Sequence, residues 1–254
     1  MDHTVITVFN QKGGVGKTTT AINVAAYLAR SGKTVLLIDF DPQGNATSGL
    51  GLNKEQLSTT SYEALLNPNL LASAIKLTSI DKMYILPANN SLAAAKVELV
   101  GLEDRELKLR SLLSQTNYDY VIIDCPPALG LLTINALAAA NYVLIPVQAE
   151  YYAMEGLGQL LNIIQRVRQT INSRLELLGV VLTMYDKRTS LAEQVQQELE
   201  KHLGDKLIET VIPRNVRLAE APSFGRTIIE HDKWSKGARA YKQLTKEIEQ
   251  RVKR

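Results

Sequence analysis

The chain has 254 residues, 45% of them hydrophobic, with a net charge of +3, so it is long enough to bury a sizeable core in one large α/β domain. No apolar run approaches the roughly 18 residues of a membrane span, and the first residues carry no basic leader, so neither a membrane span nor a signal peptide is expected. A single cysteine, Cys125, excludes a disulfide framework and fits a reducing cytoplasm.

In chain order, apolar runs predict strands at 5–9, 35–40, 83–86, 120–123, 142–147 and 177–183, and helical spacing predicts a helix at 18–29. Met154, Leu157, Leu160, Leu161, Ile164, Val167 and Ile171 recur at helical spacing between two of the strands. Residues 50–80, punctuated by Gly, Ser, Thr and Asn, read as loops with short helices. Runs apolar on both faces suit parallel strands covered by helices. The expected fold is therefore α/β: one doubly wound, mostly parallel sheet flanked by helices, a single domain over 1–254. Ligands in that architecture bind at the carboxyl ends of the strands.

Asn10-Gln11-Lys12-Gly13-Gly14-Val15-Gly16-Lys17-Thr18-Thr19 joins the first strand to the first helix. Its glycines let the backbone turn tightly and aim N–H groups at phosphate oxygens, and the helix start adds its positive end. Lys17 supplies a point charge to the β- and γ-phosphates, and Thr18 a hydroxyl for magnesium. The general pattern G-x-x-x-x-G-K-[ST] fails at its first glycine, where Gln11 stands, and an additional lysine, Lys12, precedes two glycines. This is a deviant form of the Walker A loop.

Two further segments belong to the same chemistry. The strand ending in Asp124 has the form that holds magnesium, directly or through water. Ile38-Asp39-Phe40-Asp41-Pro42 ends the second strand, where alternation puts Asp39 and Asp41 on one side. Asp41, nearer the loop, is the candidate to orient the attacking water, and Asp39 is read as structural. Cys125, Pro126 and Pro127 shape the following turn, with Cys125 an inert small residue.

With these residues in place, the sequence resembles the ParA/Soj family of deviant Walker A (SIMIBI-type) ATPases, which segregate chromosomes and plasmids. Five stretches carry the likeness: Lys12 to Thr19, Asp39 to Asn45, Asp124 to Pro127, Pro146 to Glu150 and Ile212 to Gly225. The resemblance implies ATP and Mg2+ as cofactors and a homodimer when ATP is bound. Lys12 would reach across that dimer to the partner's ATP, and Gly13 would let the two subunits close. It implies that Gly13, Gly14, Val15, Gly16, Lys17, Thr18 and Thr19 hold the nucleotide, that Pro213 and Asn215 frame the adenine, and that Asp41 serves hydrolysis. It also implies DNA contacts at Arg188 and Arg217, non-specific binding to double-stranded DNA, slow turnover, and stimulation by a ParB-like centromere-binding protein.

The last stretch, Arg226 to Arg254, holds nine Lys or Arg against four Asp or Glu. Tyr241, Leu244, Ile248 and Val252 form one stripe of its helix, with Arg239, Lys242, Lys246 and Lys253 opposite. A stripe without Trp or Phe suits docking against the sheet, leaving Lys242 and Lys246 to add phosphate affinity. A membrane-cycling regulator of the MinD type, an organelle- or cargo-positioning ATPase, and a cluster-bearing reductase like the nitrogenase iron protein are the competing readings. One cysteine cannot provide the two cluster ligands per chain that the last requires, and there is no N-K-x-D motif for guanine. The first strand begins so near the first residue that no operator-reading domain is expected ahead of it, which favours sequence-independent DNA binding and a nucleoid-associated location.

Overall fold

The computed structural model describes residues 3–150 and 153–253. From the first strand the chain runs β1 (Thr4–Val8), α1 (Lys17–Arg30), β2 (Val35–Asp39), α2 (Asn45–Gly49), α3 (Ser61–Leu66), α4 (Leu71–Ala74), β3 (Lys76–Leu77) and β4 (Met83–Leu86). It continues through α5 (Leu92–Glu98), α6 (Lys108–Leu113), β5 (Tyr120–Asp124), α7 (Leu131–Ala139), β6 (Tyr142–Gln148), α8 (Ala153–Thr170) and β7 (Glu176–Thr183). The last part holds α9 (Ser190–Leu203), α10 (Val216–Glu220), α11 (Ile228–Asp232) and α12 (Lys236–Val252).

The seven strands form one sheet in the order β3-β4-β2-β5-β1-β6-β7. Every pairing is parallel except β3 with β4. Strand alternation sends each strand's apolar side chains to opposite faces. Val5, Leu36, Ile123 and Ile145 join the core under α3 to α9; Ile6, Leu37, Ile122 and Leu144 join the core under α1 and α12. The doubly wound reading of the sequence is met, with additions. The two-residue β3 is an antiparallel edge too short to show a pattern, and α2, α5, α6, α7, α9, α10 and α11 lie in stretches for which no helix is predicted above. Apart from β3, residues 50–80 are the short helices and loops expected.

The final helix docks as its stripe predicts. Tyr241, Leu244 and Ile248 are buried in the α1-side core and Val252 packs at its edge, while Lys242, Lys246, Arg239 and Lys253 are exposed. Three polar contacts tie this region to α1: Thr20 Oγ1 with Tyr241 Oη at 3.1 Å, Tyr27 Oη donating to Ala238 O at 2.7 Å, and Ile228 N donating to Asn23 Oδ1 at 2.9 Å. Among the described residues, no helix is long and apolar enough to cross a membrane.

Candidate nucleotide site

The ends of β1, β2 and β5 converge on the loop between β1 and α1. Gly14 (φ 76°) and Gly16 (φ 86°) are left-handed, the conformation glycine adopts at no steric cost. Gly16 is also the N-cap of α1 and offers no side-chain cap, so the first N–H groups of the helix stay free to face an anion. The loop is fixed from distant strands. Thr183 Oγ1 at the end of β7 donates to Val15 O at 2.8 Å, Asn10 Nδ2 donates to Pro146 O at 2.7 Å, and Lys12 N donates to Asn10 Oδ1 at 2.9 Å.

Lys17 is buried, and its ammonium donates to Lys12 O at 2.9 Å across the loop. Burial lowers its pKa, against the opposing pull of Asp124 and Asp41. Lys12 differs: its ammonium is half exposed and pairs with the Glu150 carboxylate of the same chain.

The three carboxylates separate by environment. Asp39, fully buried, accepts from Thr47 N at 2.8 Å, from Thr47 Oγ1 at 2.7 Å and from Asp41 N at 3.3 Å. Burial pushes its pKa up to about 6 despite these hydrogen bonds. It anchors the start of α2, as the structural reading expects. Asp41 lies beyond the end of β2, so strand alternation stops short of it; its position is set by a turn in which Gln43 N donates to Asp41 Oδ1 at 3.0 Å. Its side chain lines the cavity. Asp124 is fully buried, and neither carboxylate oxygen has a hydrogen-bond partner. Burial first, then Asp39, raise its pKa well above the carboxylate range, opposed by the nearby Thr18 hydroxyl and by Lys17. A buried carboxylate with no donor beside a threonine hydroxyl is the environment a hydrated divalent cation would satisfy. Cys125 is buried and its thiol pKa is raised by burial, as an inert residue should be.

A cavity of about 420 Å³ is lined by Gly13, Lys17, Thr18, Thr19, Asp41 and Arg226, among others. A second cavity of about 280 Å³, lined by Pro213, Asn215 and Tyr241, shares Gly16, Thr19, Met184 and Leu218 with the first. The segment carrying Pro213 is held beside β7 by Tyr185 N donating to Ile212 O at 3.0 Å and Arg214 N donating to Tyr185 O at 3.1 Å. Asn215 Oδ1 caps α10 through Leu218 N at 3.3 Å. The fold thus brings Pro213 and Asn215 beside the phosphate loop. Met184, between the cavities, is a non-glycine residue at φ 50°, a strained conformation of the kind that collects at functional sites. Nothing in its local sequence marks it.

Arg188 and Arg217 lie outside both cavities. Arg188 is exposed and grips Asp186 with Nε at 2.9 Å and Nη2 at 2.7 Å. This pairing lowers the Asp186 pKa to about 2. Arg217 Nη1 donates to Glu220 Oε2 at 2.9 Å.

A family model described as an AAA domain matches residues 3–177. The sporulation initiation inhibitor protein Soj of Bacillus subtilis is 52% identical over 246 residues, 96% of this chain and 97% of its own length. The chromosome-partitioning ATPase Soj of Thermus thermophilus is 53% identical over 252 residues, 97% and 96% of the two chains. The chain belongs to the Soj/ParA family of chromosome-partitioning ATPases. Among solved structures, cobyrinic acid a,c-diamide synthase from Mycobacterium smegmatis, with bound ADP and magnesium, superposes with a TM-score of 0.86 at 37% identity, covering 99% of this chain and 96% of that one. A family of ATPases needs a phosphate cradle, a magnesium site and a place for a base. In this chain the Gly16–Thr19 turn, the Thr18/Asp124 pair and the Pro213/Asn215 cavity lie side by side at the carboxyl ends of the strands.

Proposed function

We propose that the chain is a partition ATPase in which ATP switches the protein into a DNA-binding dimer. The observation that carries this reading is one cavity that collects the uncapped helix start, the buried Lys17, Thr18 and Asp41, in a chain related to chromosome-partitioning ATPases over nearly its whole length. Lys17 and the loop N–H groups hold the β- and γ-phosphates. Thr18 and Asp124 would hold Mg2+, and the ion would offset charge on the phosphate oxygens. Asp41 orients the attacking water, and the Pro213/Asn215 cavity takes the adenine.

Lys12 acts in trans, as a cation brought to the partner's phosphates by dimerisation. Gly13 supports this. It is outside the left-handed region, and among the described residues a methyl group there would meet nothing within 4 Å, which leaves this position open to a second subunit. The dimer places two copies of Arg188, Arg217, Lys242 and Lys246 on one rigid body. Doubling weak phosphate contacts raises affinity far more than twofold, giving ATP-dependent, sequence-independent binding to duplex DNA and a nucleoid location in the cytoplasm. A ParB-like centromere-binding protein stimulates the slow hydrolysis that releases it. A membrane-cycling role is disfavoured because the apolar stripe of α12 is buried against α1.

The test is a gel-shift titration on random duplex DNA with ATP and with ADP, beside phosphate release with and without DNA. Tight binding with ATP alone supports the switch; equal affinity in the two nucleotides overturns it.

A further inference from the structure

Arg226 stands on the wall of the cavity that holds Lys17, Thr18 and Asp41. Three carboxylates lie within six residues of it, and the fold commits each elsewhere. Glu220 accepts from Arg217 at 2.9 Å, with His231 at 3.5 Å. Asp232 lies 3.7 Å from Arg217 Nε. Glu230 accepts from Thr227 N at 3.0 Å and Thr227 Oγ1 at 2.9 Å, closing the capping box of α11. Among the described residues the Arg226 guanidinium has no ion pair and no hydrogen bond, so no contact holds it away from the cavity it lines.

Its backbone is mounted on the elements of the nucleotide site. Gly225 (φ 63°) packs so closely on Gly51 that a Cβ would lie 2.6 Å from the Gly51 Cα, which locks this turn to the end of α2. Two residues on, Ile228 N is bound to Asn23 Oδ1 of α1. The electrostatics of the cavity leave room for such a group. Lys17 is its one buried cation, Asp41 is a carboxylate on its wall, and Lys12 is drawn aside to Glu150. A nucleoside triphosphate entering one subunit meets more negative charge than Lys17 can balance.

We propose that Arg226 is a cis-acting phosphate-binding residue, which engages the terminal phosphate of a nucleoside triphosphate before any partner delivers Lys12. This rests on the nucleotide-site reading above. It makes Arg226 a residue that distinguishes triphosphate from diphosphate within a single subunit, since a guanidinium recognises phosphate by charge-assisted hydrogen bonds.

Calorimetric titration of the full chain with ATPγS and with ADP, both with Mg2+, tests it. In Arg226→Ala, ATPγS affinity should fall about tenfold, the size of one charge-assisted hydrogen bond, while ADP affinity stays within about twofold; Arg226→Lys should recover most of the loss. Thermal melting of the nucleotide-free variants separates binding from folding. Lys17→Ala is the control for the site itself: if it binds both nucleotides normally, the nucleotide-site reading fails. If Lys17→Ala loses binding but Arg226→Ala keeps the wild-type ratio of ATPγS to ADP affinity, the site stands and the assignment of Arg226 falls. Loss of duplex-DNA binding by Arg226→Ala at an unchanged ratio would likewise overturn it, placing the guanidinium on the DNA face.

Discussion

Asp39 and Thr47 are joined by two hydrogen bonds, from the backbone N at 2.8 Å and from Oγ1 at 2.7 Å, and the Thr47 hydroxyl in turn accepts from Ala88 N at 2.9 Å. This interior network takes up Asp39 and leaves Asp41, two residues on, as the carboxylate on the cavity wall. Thr47→Val, which strips one donor from a buried carboxylate, should cost roughly 1–3 kcal/mol of stability while ATP turnover per folded molecule stays near wild type. Asp41→Ala should do the reverse: melting temperature and ATP binding are kept, turnover falls at least tenfold, and the ATP-bound dimer accumulates. Denaturant titration beside phosphate release separates the two, and wild-type turnover in Asp41→Ala would remove its proposed role.

The buried Asp39 carries a pH signature. Its pKa is raised from 3.8 to about 6, chiefly by burial, so the folded state holds a proton that the unfolded chain has released. The resulting stability is present in full below about pH 4 and is lost as pH rises towards about 6. Asp39→Asn cannot titrate and should gain on the wild type over that window, with a flat difference above it. Melting curves of nucleotide-free protein in a chelator, taken from pH 4 to pH 7, check the sign; a difference that shrinks with rising pH contradicts it.

Lys12 is held to Glu150 by an ion pair exposed on both sides, with the side chains 55% and 43% exposed. Such a pair is a weak restraint, on the order of 1 kcal/mol at most, so it can delay delivery of Lys12 to a second subunit without preventing it. Glu150→Gln should raise the ATP-dependent dimer fraction by no more than about fivefold. Lys12→Ala should bind ATP and stay monomeric. Size-exclusion chromatography with ATP reads both; a normal dimer fraction in Lys12→Ala would exclude action in trans.

The two arginines proposed for DNA are already engaged, Arg188 with Asp186 and Arg217 with Glu220. Binding a phosphate therefore exchanges one anionic partner for another. Asp186→Asn should strengthen ATP-dependent binding to random duplex DNA by freeing Arg188, whereas Arg217→Glu should abolish it with dimerisation intact. Each lost phosphate contact in the dimer should flatten the log-log salt dependence by about one unit. A salt series of gel shifts with the milder Arg217→Ala measures this, and an unchanged slope there takes Arg217 off the DNA surface.

The phosphate loop, the Asp124 strand and the parallel sheet were legible in the residues themselves because each is local. Glycine spacing sets a turn, doubly apolar runs set buried strands, and a lysine and a threonine at the start of α1 sit where that helix puts them. Pairings between distant segments were a different matter. Thr183 on Val15, Lys12 on Glu150 and Tyr241 on Thr20 join residues 168, 138 and 221 apart in the chain, and no local pattern encodes which of them meet. The division of labour between Asp39 and Asp41 likewise turned on where β2 stops and on Thr47 arriving beside it. Met184 and Arg226 are ordinary residues in sequence; they line the cavities because the end of β7 is bound to the loop before α1, and the turn before α11 packs beside α2 and is bound to α1. Local backbone chemistry determined the glycine-rich turn at the start of α1, and only tertiary packing, which sets the solvation and charge partners of each side chain, decided which groups surround it.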